Sequence, residues 1–157
     1  MKKSFLLVCC TALILFFNSC DDDDQMVDLP QSVQDYISSN YPNYSIDESE
    51  TDTSCTGTAI YEVEIEASDD DELELTFDSE GTFLYSETEI GVDELPDAVT
   101  SSIDTNYSDY STEEAERLDM ADGSARYEVE LKNGSTELDV LFESDGTVVC
   151  EEEDDDE

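Results

Sequence analysis

Acidic residues dominate this chain of 157 residues, which has 45 Asp and Glu against five Lys and Arg and a formal net charge of −40. That balance excludes nucleic acid as a partner, because no basic stripe is present to neutralise phosphates, and it argues against adsorption to anionic lipid. It favours attraction to cations and to basic protein surfaces.

The first 19 residues predict a secretion signal. Lys2 and Lys3 precede an apolar run over residues 5–17, which is too short to cross a membrane comfortably as a stable helix. The run closes on Phe-Asn-Ser-Cys20, which resembles the lipobox of bacterial lipoproteins, where the cysteine becomes the acylated first residue of the mature chain. We therefore predict a lipoprotein signal peptide over residues 1–19 and lipidation at Cys20. An ordinary secretory signal that is cut elsewhere is the alternative.

An acidic tether is predicted over residues 20–28. Four consecutive aspartates follow Cys20, and such a run cannot pack into a core. The run resembles the surface-export signal of lipoproteins in one large group of Gram-negative bacteria, although a simple solvated linker explains it equally well. We expect a lipid anchor in the outer membrane that displays the protein at the cell surface, with the periplasmic face as the alternative; several acyl chains would make that anchor durable.

Each half of the remaining chain opens with an amphipathic helix. Apolar residues recur every four positions from Leu29 to Tyr41, Pro30 suits the first helical turn, and Pro42 ends the helix because it lacks an N–H. The same spacing of apolar residues recurs over residues 95–107. Two short helices are therefore predicted.

A meander of strands follows each helix. Tyr61, Val63 and Ile65 alternate with glutamates, which is the period of a half-buried strand, and Gly81 supplies a permissive backbone for a turn over residues 78–81. The predicted strands cover residues 60–67, 73–77, 82–89, 127–131, 138–142 and 147–150, with weaker first strands over 44–52 and 110–119.

The two halves are copies of one unit. Leu29-Pro30 recurs 66 positions later, and the tetrapeptide Tyr-Glu-Val-Glu at residues 61–64 recurs at 127–130. Further matches in the same order are Val33 with Val99, Ile37 with Ile103, Asn40-Tyr41 with Asn106-Tyr107, Phe77 with Phe142, and Gly81-Thr82 with Gly146-Thr147. So many ordered matches establish an internal repeat. We predict repeat 1 over 29–91, repeat 2 over 92–149 and an acidic tail over 150–157.

The fold class predicted is α+β, with each repeat placing one helix on a four-stranded antiparallel sheet. A unit of about 60 residues is only marginally stable alone, so the two repeats should pack together, and one continuous eight-stranded sheet is the arrangement that the repeat allows.

A family likeness appears in the order of these motifs. Leu-Pro, a helix ending in Asn-Tyr, Tyr-Glu-Val-Glu and a Phe-x-x-x-Gly turn occur twice over residues 29–149, and this resembles the PepSY-like domain related to the beta-lactamase inhibitor protein. The resemblance implies a periplasmic or surface protein. In the inhibitor, two such units form one concave sheet that clamps an enzyme. The likeness implies that fold and not that target, so no inhibitory contact residue is carried over.

Strand alternation predicts an acidic sheet face that points away from the helices. A basic partner could dock on this face, but a solvated charged face explains the same residues, and like charges on neighbouring strands cost stability. The candidate partner-binding residues are Glu62, Glu64, Glu66, Glu72, Glu74, Glu128, Glu130, Glu137 and Asp139. Tyr44, Tyr85 and Tyr110 lie outside the predicted core stripes and are further interface candidates.

No catalytic residue and no cofactor is predicted. The chain has no histidine, which removes the commonest general base and metal ligand, and it has no phosphate-binding loop or nucleophile elbow. Carboxylate pairs occur at every spacing and therefore indicate no particular chemistry. The leading hypothesis is a lipid-anchored module that binds or inhibits a protein.

A calcium- or cation-binding envelope protein is the alternative. Residues 69–71, 78–81, 143–146 and 151–157 are rich in oxygen ligands, but none reproduces the spacing of the twelve-residue calcium loop. Turn formation explains the two segments that contain glycine, and weak, diffuse Ca²⁺ binding is expected at this charge.

Two cysteines remain outside the signal and the anchor, Cys55 and Cys150. An even number outside the cytoplasm allows one disulfide. Cys55 falls in a predicted loop and Cys150 at the end of the last predicted strand, and no sequence feature fixes the distance between them.

Overall fold

A computed structural model describes residues 26–68 and 71–154. The predicted signal peptide, Cys20, most of the acidic tether, Asp69, Asp70 and residues 155–157 lie outside the described residues. No helix in these two ranges is long and apolar enough to span a membrane. The elements in chain order are α1 (Gln31–Asn40), β1 (Ser45–Thr53), β2 (Ala59–Ser68), β3 (Asp71–Asp78), β4 (Phe83–Glu89), a short 3-10 helix (Val92–Glu94), α2 (Asp97–Asn106), β5 (Ser111–Met120), β6 (Ala125–Asn133), β7 (Thr136–Glu143) and β8 (Val148–Asp154).

Both predicted helices are present, and both end in the same way. The Tyr41 N–H donates to the Ile37 carbonyl oxygen at 2.8 Å, and Pro42 directly after it prevents a further turn. The Tyr107 N–H donates to the Ile103 carbonyl oxygen at the same distance. The helices begin at Gln31 and Asp97, one residue after the proline in each repeat.

The eight strands form one antiparallel sheet in sequence order, which confirms the predicted continuous sheet. The two repeats join where β4 pairs with β5, from Tyr85 opposite Met120 to Glu89 opposite Glu116. We call this pairing the seam.

The last strand is longer than predicted. β8 continues to Asp154, so residues 151–154 of the predicted acidic tail pair with β7 instead of leaving the fold. Glu152 stands opposite Asp139, and Glu153 stands opposite Leu138. The backbone groups of β7 need partners as far as Glu137, and the pairing satisfies them despite the charge.

Each repeat has its own apolar core between its helix and one shared face of the sheet. In repeat 1, Val33 and Ile37 of α1 pack against residues such as Val63 and Phe77. In repeat 2, the corresponding residues of α2 pack against Val129 and Phe142. The buried members are Val33, Ile37, Val63, Ile65, Leu75 and Phe77 in the first core, and Leu95, Val99, Ile103, Ala115, Val129, Leu131, Val140 and Phe142 in the second. Separate cores explain why the duplicated apolar pattern is so regular.

One glycine turn in each repeat presses against a helix. Gly81 has φ 80° and Gly146 has φ 83°, a left-handed conformation that other residues rarely adopt. A Cβ at Gly81 would overlap the Ser32 side chain of α1, and a Cβ at Gly146 would overlap the Ala98 carbonyl of α2. The turn after the third strand of each repeat therefore requires glycine for both conformation and space.

The sheet curls strongly over the face that points away from the helices. A disulfide joins Cys55, in the β1–β2 loop, to Cys150 in β8, with their Cα atoms 6.0 Å apart. In a flat sheet, six strand spacings of about 4.8 Å would separate β2 from β8 by ~29 Å. Bulges that recur in both repeats, at Ile46/Glu48 and Thr112/Glu114 and again at Thr76/Phe77 and Leu141/Phe142, contribute to this curl.

An acidic concave face as the candidate functional site

The curled face encloses a cavity of about 410 Å³. Its polar lining comes from several strands, and Ile60, Leu84 and Leu141 add apolar surface. Acidic and aromatic residues at the cavity are Asp52, Glu62, Asp78, Tyr85, Glu87, Glu128, Asp139 and Glu152. The disulfide crosses this same face, because Cys150 stands opposite Leu141 and Leu141 stands opposite Glu128.

Strand register sets carboxylates directly beside one another on the concave face. Residues opposite each other in an antiparallel pair point to the same side of the sheet. One row consists of Glu48, Glu64, Glu74 and Glu87 across β1–β4, and another of Glu114, Glu130, Asp139 and Glu152 across β5–β8. Ladders of like charge are unfavourable unless the groups are hydrated, neutralised or matched by cations.

All nine candidate partner-binding residues lie on this concave face, as their register shows. The alternation predicted solvated side chains. The structure leaves Glu72 exposed but half-buries the other eight, namely Glu62, Glu64, Glu66, Glu74, Glu128, Glu130, Glu137 and Asp139. The curl explains the difference, because it moves strands that are far apart in the sheet toward one another. Their role in partner binding stays a prediction.

A cluster of five glutamates occupies the middle of the face, namely Glu62, Glu74, Glu87, Glu116 and Glu128, hereafter the glutamate cluster. Burial raises the pKa of Glu87 to about 9, and the charges of Glu74 and Glu116 add to the effect. Burial is also the largest cause that raises the pKa of Glu62, Glu74 and Glu128 to about 7, and it raises the pKa of Glu116. Glu87 therefore keeps its proton at neutral pH and donates a hydrogen bond to Glu74, which lowers the pKa of Glu74.

No basic side chain neutralises this cluster within the described ranges. Arg126 lines the cavity but forms an ion pair with Glu143 at 2.8 Å. Lys132 is paired with Glu137, and Arg117 is paired with Asp119 at 2.7 Å. These are the only three basic residues in residues 26–154. Lys132 thus neutralises Glu137 at the edge of the concave face, whereas the glutamate cluster has protons or an external cation as its available counter-charges.

Two of the cluster residues, Glu87 and Glu116, were not predicted as site residues, whereas Tyr85 was named as an interface candidate. Glu87 and Tyr85 lie on β4 and Glu116 on β5. Tyr85 lies at the cavity, where burial raises its pKa and the charge of Glu87 adds to the effect. The other two tyrosines named as interface candidates, Tyr44 and Tyr110, pack against the helix-side cores instead.

The oxygen-rich hairpin turns have a structural role. The Asp78 carboxylate accepts hydrogen bonds from the Glu80 and Thr82 backbone N–H groups at 2.9 and 2.8 Å, and Asp145 accepts one from Thr147 at 3.0 Å. The backbone bond from Thr82 is the largest cause that lowers the pKa of Asp78, and the Thr147 side chain, followed by its backbone N–H, lowers the pKa of Asp145. In the part of the chain that the structure describes, no group of three or more Cys, Asp or Glu side chains is arranged to hold a metal ion.

The fold and the site together define a class of protein. Two helix-and-four-strand units share one curled antiparallel sheet, and the concave acidic face stays uncovered by helices. This is a tandem-repeat α+β module. The beta-lactamase-inhibitor-like, PepSY-like family matches the sequence twice, over residues 25–85 and 84–149, and the chain belongs to this family.

Several solved structures from Bacteroides share the fold. A BLIP-like protein from Bacteroides fragilis is 24% identical, with 87% of this chain and 94% of that chain covered and a TM-score of 0.55. A DUF2874 family protein from Bacteroides uniformis is 18% identical, with coverages of 80% and 89% and a TM-score of 0.56. A protein from Bacteroides eggerthii described as periplasmic is 15% identical, with coverages of 79% and 88% and a TM-score of 0.54. Among curated proteins, none matches the sequence.

Proposed function

We propose that this protein is a lipid-anchored, extracytoplasmic module that binds or inhibits another protein and catalyses no reaction. The observation that carries the proposal is the uncovered concave face, across which strand register sets two rows of carboxyl groups side by side. A basic surface or segment of a partner would supply counter-charge to this face.

Binding fits the composition of this face better than catalysis does. Rows of carboxyl groups cross all eight strands, which suits a broad contact with a basic surface. The chain also lacks histidine. Acidic side chains at the cavity mouth, such as the exposed Asp52 and Glu152, are placed to steer a basic partner and to make its association fast at low salt.

The location outside the cytoplasm rests on several observations. The signal-like residues 1–19 and the lipobox-like sequence ending at Cys20 support lipid anchoring. A disulfide between Cys55 and Cys150 suits an oxidising compartment. A relative that shares the fold is described as periplasmic. The four aspartates after Cys20 would keep the folded module clear of the membrane.

Charge reversal at the cavity mouth tests the proposal. A doubly substituted protein, Asp52→Lys with Glu152→Lys, changes two exposed residues that line the cavity. The matched control, Glu80→Lys with Asp104→Lys, makes the same change in net charge at exposed positions in the β3–β4 turn and on α2. Partners are captured by chemical cross-linking on intact cells that display each form.

The proposal requires that a partner cross-linked to the wild type and to the control be lost from the cavity variant. Equal capture by all three forms would show that the concave face is not the contact. Equal loss from both variants would show only a response to net charge, which also contradicts the proposal. Replacement of Cys20 by Ala should release the protein from the membrane fraction if Cys20 is the acylated residue.

A further inference from the structure

The seam between the two repeats carries a concentration of acidic side chains. Its pairing runs from Tyr85 opposite Met120 to Glu89 opposite Glu116, with Glu87 between these ends opposite Leu118, and one further backbone hydrogen bond extends it at each end. Glu87 also stands opposite Glu74 on β3, and Glu116 stands opposite Glu128 on β6. Ionisation of the glutamate cluster therefore places like charges on both sides of the seam.

Every strand near Glu87 contributes acidic groups to its surroundings. The charges that act on it directly are Glu74 on β3, Glu116 on β5, Glu128 on β6 and Glu62 on β2, and Tyr85 precedes it on its own strand. Glu50 and Asp52 of β1 act on Glu62, while Asp139 of β7 and Glu152 of β8 act on Glu128. Arg126 is the basic side chain at the cavity, and Glu143 engages it.

Protonation and ionisation of this cluster favour different arrangements. With protons bound, Glu87 donates to Glu74 across β3 and β4, and the curled face holds the neutral carboxyls out of water at little cost. Once ionised, the same carboxylates repel across neighbouring strands and need hydration that the closed face does not provide. Separation of β4 from β5 would admit water to Glu87 and Glu116. It would also expose Leu118, which is buried in the seam opposite Glu87, while the helices continue to cover the two cores on the other face.

We propose that the seam is a proton-controlled hinge, which is closed while the glutamate cluster is protonated and which opens between β4 and β5 when Glu87 and its neighbours ionise. The disulfide ties the β1–β2 loop to β8, so the sheet opens at the seam and does not unroll from its edges. The inference concerns the fold alone and holds whether or not the concave face binds a protein. If it does bind one, access for the partner rises with pH.

The size of the effect follows from proton linkage. An opened seam returns Glu87 toward the ordinary pKa of 4.5, while the closed seam holds its pKa at about 9. Between these limits one linked proton changes the opening equilibrium by up to about tenfold per pH unit. The other cluster members have lower pKa values in the closed form, near 7 for Glu62, Glu74 and Glu128. We therefore expect the steepest change between pH 5 and pH 7.

Amide hydrogen exchange measures the hinge directly. Exchange is followed by mass spectrometry at pH 5 and pH 8 on the full chain in detergent micelles and is corrected for the intrinsic pH dependence. Residues 85–89 and 116–120 report the seam, and residues 61–65 and 127–131 report the repeat interiors. The opening constant of the seam should rise by at least about tenfold from pH 5 to pH 8, while the two interiors change much less.

Variants with a neutral side chain of the same shape distinguish the hinge from other causes of a rise in amide exchange with pH. Glu87→Gln should lower the rise at the seam, and the double change Glu87→Gln with Glu116→Gln should lower it further. At pH 5 Glu87→Gln should match the wild type, in which Glu87 is protonated. Glu80→Gln, at an exposed turn position, should keep the full rise. An equal rise in all strands, no rise at the seam, or a full rise in the double variant would each overturn the hinge. None of these results bears on whether a partner binds, so a failure of the hinge is distinguishable from a failure of the proposed function.

Discussion

The disulfide between Cys55 and Cys150 should provide a large part of the stability of this fold. The bond closes a segment with a sequence separation of 95 residues. In the chain-entropy account, a loop of this length raises the free energy of unfolding by about 4.7 kcal/mol, because the cross-link restricts the unfolded chain. Residual compactness in the unfolded state reduces that figure, so we expect a loss of ~3–5 kcal/mol on removal. Single domains have total stabilities of about 5–15 kcal/mol.

Urea unfolding of soluble residues 25–157, followed by circular dichroism, measures this loss. The double variant Cys55→Ser with Cys150→Ser should unfold at a lower midpoint than the oxidised wild type, and its slope against urea should be at least as steep, because the uncrosslinked chain exposes more surface. Reductant added to the wild type should reproduce the double variant.

Single variants provide the decisive control. Because either substitution breaks the same bond, Cys55→Ser and Cys150→Ser should each lose about as much as the double variant, which is the signature of one shared interaction. Two small losses that add up to the double would mean that the two side chains act separately. A total loss below about 1 kcal/mol would refute the argument that the bond restricts a long loop.

Three further predictions follow from features of single residues and turns. Glu128→Gln should raise the free energy of unfolding at pH 8 by ~1–3 kcal/mol and leave it unchanged at pH 4, as measured by urea unfolding at the two pH values. The reason is that the fold raises the pKa of Glu128 to about 7. The native state therefore binds more protons than the unfolded state, and the stability of the wild type falls as pH rises from about 4.5 to 7. Gly146→Ala should lower the melting temperature and reduce the free energy of unfolding by ~1–3 kcal/mol, since Gly146 has φ 83° and a Cβ there would meet the Ala98 carbonyl. The control Gly123→Ala should reduce stability less, because Gly123 (φ 84°) has no neighbouring atoms in the way and only its backbone conformation is strained. Calcium and magnesium at equal ionic strength should shift the melting temperature equally and slightly; a much larger shift with calcium would identify a specific site.

Features set by local sequence were predictable. The spacing from Leu29 to Tyr41, its repetition in the second half and the alternation in β2 and β3 depend on residues near one another in the chain, and they predicted two helices and one shared antiparallel sheet. The apolar residues of these alternating strands form part of the core of their repeat.

The family resemblance implied a concave sheet, but the residue pattern alone could not predict which side chains the curl brings together, because the curl depends on bulges and accumulated twist. Strict alternation would place Phe83, Tyr85 and Glu87 on one face. The bulge between β3 and β4 instead puts Phe83 against the core and turns Tyr85 and Glu87 toward the cavity. The sequence contains one indication of this change of face, because strict alternation would put the carboxylate of Glu87 on the same face as the aromatic ring of Phe83. Likewise, only the curl of the whole sheet decides that Cys55 reaches Cys150.

The sheet remains open at both edges, β1 and β8. An unpaired edge is a template on which another chain can add a strand and begin a fibre. Here the two edges carry Asp47, Glu48, Glu50 and Asp52 on β1 and Glu151, Glu152, Glu153 and Asp154 on β8. The N–H of Val27 also donates to the Ser49 carbonyl and so covers part of the first edge. Copies that meet edge to edge therefore present like charge to one another, and this repulsion opposes polymerisation of a strand-rich protein at high local density.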